Sequence, residues 1–144
     1  MLISNVLEAK GRSVATILPD DTVENAVHRL AELRIGAVVV EDQWQKLVGI
    51  FSERDLVNLL AQHGPAALGQ PVRSVMTSPV VTCRRTDRID AVMGVMTARK
   101  IRHVPVVEGQ ALVGIVSIGD LVKHRLDEKE LEAGVLLDLT RMRG

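Results

Sequence analysis

Two stretches of this chain are nearly the same: L-V-G-I-F-S-E-R-D-L-V at residues 47–57 and L-V-G-I-V-S-I-G-D-L-V at residues 112–122. Both keep Gly, Ser and Asp at matching places. In each, an apolar run typical of a buried strand ends at the serine, and a segment with helical spacing begins after it. A strand that leads into a helix, present twice, predicts two copies of one small folding unit.

The repetition extends well beyond these two stretches. Thr16 aligns with Thr82, and R-I-G-A-V-V-V at 34–40 aligns with K-I-R-H-V-P-V at 100–106. The offset is 66 up to this point and 65 after it. One residue has therefore been lost in the intervening turn, where a hairpin tolerates a deletion. Two copies at this period predict a pseudo-twofold pair of units and not a solenoid.

Each copy predicts the same order of elements, and the predicted fold class is α+β. V-A-T-I-L at 14–18 and V-V-T-C at 80–83 are short β-branched runs and predict short strands. Asp21-Thr22 and Thr86-Asp87 predict N-caps before two amphipathic helices. Two apolar runs joined by a polar turn then predict a hairpin in each copy, and the serine-led segment predicts a final helix. The predicted unit is β-α-β-β-α.

Composition limits the class of protein. The 144 residues are 47% hydrophobic and 25% charged, with one Trp, one Phe and no Tyr, so we expect a globular protein with an aliphatic core. No apolar run reaches the ~18 residues that cross a bilayer, and Glu8 lies where the apolar stretch of a signal peptide would run. We therefore expect a cytoplasmic protein without a membrane partner.

The charge pattern argues against nucleic acid as a partner. The formal net charge is zero, whereas non-specific nucleic-acid binding requires an excess of basic residues. Residues 84–126 nevertheless carry eight Lys or Arg against four Asp or Glu, a local excess that suits a small anion. Either this block binds such an anion or it is a solvated basic face.

Sequence motifs of enzymes are missing. There is no G-x-S-x-G nucleophile motif and no glycine-rich phosphate loop, and the four histidines share no metal-ligand spacing. The single cysteine, Cys83, forms no internal disulfide and is expected to be buried on a strand. We expect neither catalysis nor a bound metal.

The doubled G-h-h-S-x-x-D signature (h, apolar), the R-H-V-P-V strand and the order of elements resemble a tandem pair of CBS domains, also called a Bateman module. The resemblance covers roughly residues 12–126. Further motifs resemble those of short stand-alone bacterial CBS-domain proteins, namely K-G, S-E-R-D, P-V-x-x-V-M-T and S-I-G-D-L-V-K. The resemblance to CBS domains implies two pseudo-twofold-related CBS repeats with an adenosine ligand in the cleft between them. The implied ligands are AMP, ADP, ATP, S-adenosylmethionine, NAD and NADH.

The expected division of the chain has five parts. They are an N-terminal helical segment 1–11, CBS repeat 1 at 12–64, a linker 65–77, CBS repeat 2 at 78–126 and a C-terminal helical tail 127–144. The tail pattern predicts an amphipathic helix with Leu126, Leu131, Val135 and Leu139 on one side and an interruption at Gly134.

The resemblance also implies a disc-shaped homodimer formed through helices. The apolar pairs Met93-Met96 and Leu56-Leu60 are candidates for its interface, and packing within the chain is the alternative for both. The tail and the segment Leu2 to Leu7 are candidates for clamping the partner subunit.

The S-x-x-D signature has two physical interpretations. Ser117 ends a strand and begins a helix, and a helix N-terminus with unpaired N–H groups attracts phosphate. Asp120 presents an acceptor-only carboxylate that suits two ribose hydroxyls. Alternatively, S-x-x-D is a capping box with Asp in place of Glu, which contributes about 1 kcal/mol and needs no ligand. The two roles are compatible.

We predict the stronger site in the second repeat, because it carries Arg102-His103 and the small pair Ile118-Gly119. Glu53 would repel phosphate at the first site, whereas Arg54 is expected to reach across to the second. The predicted stronger site comprises Val80, Val81, Thr82, Arg102, His103, Val104, Pro105, Ser117, Ile118, Gly119 and Asp120, with Arg54. The predicted weaker site comprises Thr16, Gly36, Ala37, Ser52, Glu53 and Asp55.

In the stronger site, valines 80, 81 and 104 and Pro105 are the expected adenine walls, because aromatic residues are almost absent. Two functions follow from this set. The first is a non-catalytic sensor that binds an adenine nucleotide and signals to an unknown downstream protein. The alternative is a structural dimeric adaptor with no regulatory ligand.

Overall fold

The computed structural model describes the backbone of residues 1–143 and the side chains of residues 1–134. Its helices and strands, in chain order, are α1 (Ile3–Lys10), β1 (Thr16–Ile17), α2 (Val23–Leu33), β2 (Ala37–Glu41), β3 (Leu47–Ser52), α3 (Glu53–His63), α4 (Ile89–Arg99), β4 (His103–Glu108), β5 (Ala111–Ser117) and α5 (Ile118–Arg143). Short 3-10 helices, Gly64–Gly69 and Val72–Ser74, connect α3 to α4. The predicted α+β class with two helix-packed sheets is confirmed.

The two sheets differ in their first strand. In the first repeat, β1 pairs parallel to β2, and β2 pairs antiparallel to β3. In the second, only the hairpin β4–β5 is regular, and the predicted strand V-V-T-C is reduced to one parallel bridge between Cys83 and Val106. Val39 donates its N–H to Ala15 O over 3.0 Å. The matching residue, Pro105, has no N–H, so the second copy loses this pairing.

The helices that precede the two hairpins, α2 and α4, begin differently. Thr22 caps α2 as predicted, because its hydroxyl accepts the N–H of Asn25 at 3.1 Å. The cap predicted at Thr86-Asp87 is wrong: α4 begins after Arg88, whose side chain makes no capping bond. The carboxylate of Asp87 instead accepts the N–H of Arg84 within the preceding turn. The second copy lacks the cap because Arg stands where the first has Thr.

Each repeat has its own aliphatic core, and each core takes residues from a neighbouring segment. Ile3, Val6 and Leu7 of α1 are at most 3% exposed and pack in the core of the second repeat. Ala67 and Val72, from the predicted linker, are fully buried in the core of the first. The prediction that the N-terminal segment clamps a partner is therefore wrong for its buried face, which packs within the chain.

Two segments outside the repeats, residues 1–7 and residues 70–76, each cover the core of one repeat and make matching hydrogen bonds. Ile3 donates its N–H to Asp87 O, as Val72 does to Asp21 O. Residues 1–7 thus lie on the second repeat as residues 70–76 lie on the first. Ile3 and Val72 are 69 positions apart, whereas the corresponding helices of the two repeats are 66 apart. An alignment of the halves at one fixed offset therefore does not pair these two segments.

The helical surfaces correct two further predictions. Met96 is 2% exposed and Met93 packs against the second core, so this pair does not form an exposed face. Helix α5 continues through Gly134 without the predicted interruption, and Leu126 and Leu131 on it are exposed. The side chains of Val135 and Leu139 lie outside the described residues.

Candidate functional site

Both S-x-x-D signatures form reciprocal capping boxes. The Ser52 hydroxyl accepts the N–H of Asp55 at 3.3 Å, and the Asp55 carboxylate accepts the N–H of Ser52 at 2.9 Å. Ser117 and Asp120 repeat the arrangement at 3.1 and 2.9 Å. The capping interpretation is confirmed at both helix starts. It orients each carboxylate at the positive end of a helix dipole.

A cavity of about 190 Å³ lies between the repeats at the first signature. It combines residues predicted for the weaker site with residues predicted for the stronger one. The lining residues are Gly36, Ile50, Ser52, Glu53, Arg54, Asp55, Thr77, Lys100, Ile101, Arg102 and His103. The first repeat thus supplies the carboxylates, and the loop between α4 and β4 supplies most of the basic groups.

His103 lies close to Gly36 at this junction. A Cβ added at Gly36 would come within 2.8 Å of His103 Cε1, so a side chain there would displace the imidazole. Burial lowers the pKa of His103, as does nearby Lys10, while the carboxylates of Glu53 and Asp120 act in the opposite direction. A neutral imidazole offers one donor and one acceptor to the cleft.

Arg54 connects the two repeats. Its Nη1 donates to the carbonyl of Lys100 over 2.9 Å, at the residue that ends α4 in a left-handed conformation with φ of 56°. Arg54 crosses to the second repeat as expected, although its partner here is a carbonyl. A second cavity of about 410 Å³ shares Arg54, Lys100, Ile101 and Arg102 with the first and adds Met96, Thr97 and Ile118.

Thr77 is a cavity residue that the sequence did not single out. Its hydroxyl donates to Asp55 Oδ1 at 3.2 Å, and its backbone pairs with Ile50. Thr77 belongs to the predicted linker, which the structure folds onto β3. Ile50 and Ile101 were also missed, although Ile101 directly precedes the selected pair Arg102-His103. Lys100 was included only as a member of the basic block at residues 84–126.

At the second signature, a lysine side chain contacts the aspartate, where Thr77 does so at the first. The Nζ of Lys10 donates to Asp120 Oδ2 at 2.6 Å and to the carbonyl of Ile115 at 2.8 Å. Burial alone would raise the pKa of Asp120, but the hydrogen bonds from Lys10 and Ser117 outweigh it and leave the pKa below its usual value. Ser117 and Asp120 are not among the residues that line the cavity containing His103.

The remaining predicted residues are dispersed. Val104 is 1% exposed within the core of the second repeat, and Pro105 is also buried. Thr82 lines a separate cavity of about 570 Å³ with Arg84 and Arg85. Thr16 lines a surface cavity beside Arg12 and Glu41, and Ala37 is buried in β2. Val80 and Val81 are half-buried, and Gly119 is the second residue of α5.

The described residues also bear on metal ligands, on the cysteine thiol and on helices that could span a membrane. Among residues 1–134, no group of three or more His, Cys, Asp or Glu side chains could hold a metal ion. Burial and the charge of Asp87 raise the pKa of Cys83 to about 12, which makes this thiol a poor nucleophile. None of the helices described is long and apolar enough to span a bilayer.

Comparison with known proteins gives consistent matches. The CBS-domain family matches residues 8–62 and 72–127. The CBS domain-containing protein CBSX3, mitochondrial, from Arabidopsis thaliana is 33% identical over 144 aligned positions, covering 91% of this chain and 70% of that protein.

Two solved structures extend these matches. The crystal structure of a CBS-domain containing protein from Agrobacterium tumefaciens gives a TM-score of 0.84 at 45% identity, over 86% of this chain and 92% of that one. The CBS domain pair of protein MJ0100, in complex with 5′-methylthioadenosine and S-adenosyl-L-methionine, gives a TM-score of 0.79 at 26% identity, over 89% and 98%. These folds share the two-repeat architecture described above.

Proposed function

The chain belongs to the CBS-domain family and carries a tandem pair of CBS domains, and from this premise we propose that it is a non-catalytic regulatory module that binds an adenine nucleotide. The ligand lies in the cleft at the first S-x-x-D signature. The observation that carries the proposal is the cavity built by both repeats, where the Asp55 carboxylate and the cationic side chains of Arg54, Lys100 and Arg102 line one space.

The lining groups suit the parts of a nucleotide. Asp55 is an acceptor for ribose hydroxyls, because its bond from the Thr77 hydroxyl is long at 3.2 Å and exchangeable for a ligand hydroxyl. Lys100 and Arg102 provide positive charge for phosphate. The aliphatic side chains of Ile50 and Ile101 are available to the adenine faces.

The dimensions of the cleft bear on the ligand. A cavity of about 190 Å³ is smaller than the roughly 300–1,000 Å³ of ordinary ligand pockets. The adjoining cavity of about 410 Å³ shares four lining residues with it and is bordered by the same basic groups. We assign the nucleoside to the smaller cavity and the phosphates to the larger one. AMP, ADP, ATP, NAD and NADH each supply these two parts, a nucleoside and at least one phosphate.

A titration of nucleotide-stripped protein tests the function. Isothermal calorimetry with AMP, ATP, NAD, NADH and S-adenosylmethionine is expected to show selective micromolar binding to one ligand or one class. Asp55→Asn retains an oxygen for the cap but loses the charged acceptor, and we expect it to weaken binding at least tenfold. Asp127→Asn, an exposed aspartate on α5, is the matched control. Absence of binding by every ligand would refute the proposal.

A constitutive dimeric adaptor is the second candidate, favoured by exposed apolar side chains on three helices. Val57 and Leu60 on α3, Val95 on α4, and Val122 and Leu126 on α5 are at least 37% exposed. We propose that they form the homodimer interface, and that a downstream protein binds the assembled dimer. An adaptor would sediment as the same dimer with and without nucleotide and bind none of the five ligands.

A further inference from the structure

The two capping boxes are alike in their own hydrogen bonds but differ in the side chain that covers them. At the first, the neutral hydroxyl of Thr77 contacts Asp55 Oδ1 at 3.2 Å, and a cavity lies beside it. At the second, the ammonium group of Lys10 contacts Asp120 Oδ2 at 2.6 Å and the Ile115 carbonyl at 2.8 Å. The covering group at the second box is thus a cation placed on the carboxylate.

The position of Lys10 is fixed by the packing of its helix. Helix α1 ends at Lys10, and the next residue, Gly11, has φ of 97° and donates its N–H to Leu7 O at 2.8 Å. Leu7 is buried against Gly114, where an added Cβ would lie 2.7 Å from Leu7 Cδ2. Gly114 directly precedes Ile115, so this contact holds the ammonium group beside the second helix start.

We propose that Lys10 closes the second S-x-x-D cleft by occupying Asp120, so that the chain binds nucleotide at the first cleft in preference to the second. This inference rests on the proposed function. An adenine nucleotide needs the Asp120 carboxylate for its ribose, and Lys10 holds an oxygen of that carboxylate with a charge-assisted bond. The side chains of the pair are 32% and 27% exposed, so a ligand entering this cleft would have to displace the ammonium group.

Removal of the ammonium group alone gives the test. Lys10→Met keeps an unbranched side chain on α1 and removes the charge, and Lys123→Met makes the same change at an exposed position one turn beyond Asp120 on α5. With AMP as the probe, calorimetry is expected to resolve a tight site in all three proteins and a second, weaker site. We expect this second site to bind AMP about fivefold more tightly in Lys10→Met than in wild type or Lys123→Met, the gain that corresponds to a partly exposed pair of this kind.

A second measurement checks the contact without any nucleotide. Carboxyl carbon-13 NMR of Asp120 is expected to show a higher pKa in Lys10→Met than in wild type, with no change in Lys123→Met. This establishes whether Lys10 holds Asp120 in solution, whatever the protein binds.

The outcomes separate the two proposals. No second AMP site in Lys10→Met, the same second-site affinity in wild type and Lys10→Met, or an unshifted Asp120 pKa overturns the role of Lys10 and leaves the first cleft intact. Weaker AMP binding by Lys10→Met also overturns it, because Lys10 would then be a ligand contact. If wild type binds no AMP and Lys10→Met binds one, the closure is supported and the function at the first cleft fails. No binding by either protein refutes both.

Discussion

Gly49 and Gly114, the glycines of the two signatures, lie where a covering segment touches the sheet. An added Cβ at Gly49 would collide with the sulfur of Met76, and one at Gly114 with the methyl groups of Leu7. These glycines therefore admit the segments that complete each core. The sequence shows that both glycines are repeated. It does not show why glycine is needed, because the side chains that contact them, Met76 and Leu7, are distant in the chain.

We expect Gly114→Ala to lower the free energy of unfolding by about 1–3 kcal/mol, because the new methyl group overpacks a buried contact. Urea denaturation followed by circular dichroism measures the change. Gly94→Ala is the control, since Gly94 lies within α4 with open space around it. We expect that variant to gain up to about 1 kcal/mol. Equal stability of Gly114→Ala and wild type would contradict the packing described here.

His103 makes stability depend on pH in one direction. Its pKa is lowered from the usual 6.5 by burial and by Lys10, so the unfolded chain takes up a proton at a pH where the folded chain does not. Stability is therefore present above pH 6.5 and falls as the pH drops through and below that value. Thermal unfolding between pH 7.5 and 5.5 should show a smaller decrease for His103→Gln than for wild type. An identical decrease in both would rule out this role of His103.

At the scale of elements, sequence patterns predicted the helices and hairpins that depend on contacts between residues close together in the chain. Both hairpins, the helices α2 and α3, and the end of α3 before Gly64 follow from apolar spacing and from end signals within a few residues. The missing second strand and the missing α4 cap depend on single positions, Pro105 and Arg88. The contribution of α1 to the second core depends on contacts about eighty residues apart or more, which no periodicity reveals.

The burial of α1 predicts that Leu7 is a core residue of the second repeat. Leu7→Ala should lower the free energy of unfolding by about 2–5 kcal/mol, as for other buried leucines. Leu33→Ala, at the exposed end of α2, should stay within about 0.5 kcal/mol of wild type. Chemical denaturation of both variants measures this difference. A loss for Leu7→Ala as small as that of Leu33→Ala would show that α1 does not stabilise the repeat.

At the scale of the whole molecule, the repeat predicted a cleft between two halves but not which end of it is open. The signatures are alike in sequence, whereas the groups facing them come from Thr77 and Lys10, outside the aligned repeats. Charge counting favoured the second site for its Arg102-His103 pair. The structure brings that pair beside the first signature instead, because the two repeats face each other.

The most direct test of the central claim is methyl NMR of isoleucine-labelled protein during titration with AMP. The cleft at the first signature predicts that the δ1-methyl signals of Ile50 and Ile101 shift, while that of Ile17, buried in the first core, does not. Asp55→Asn should require more AMP for the same shifts. Shifts confined to Ile115, beside the second signature, or no shifts in any isoleucine would contradict a nucleotide site in this cleft.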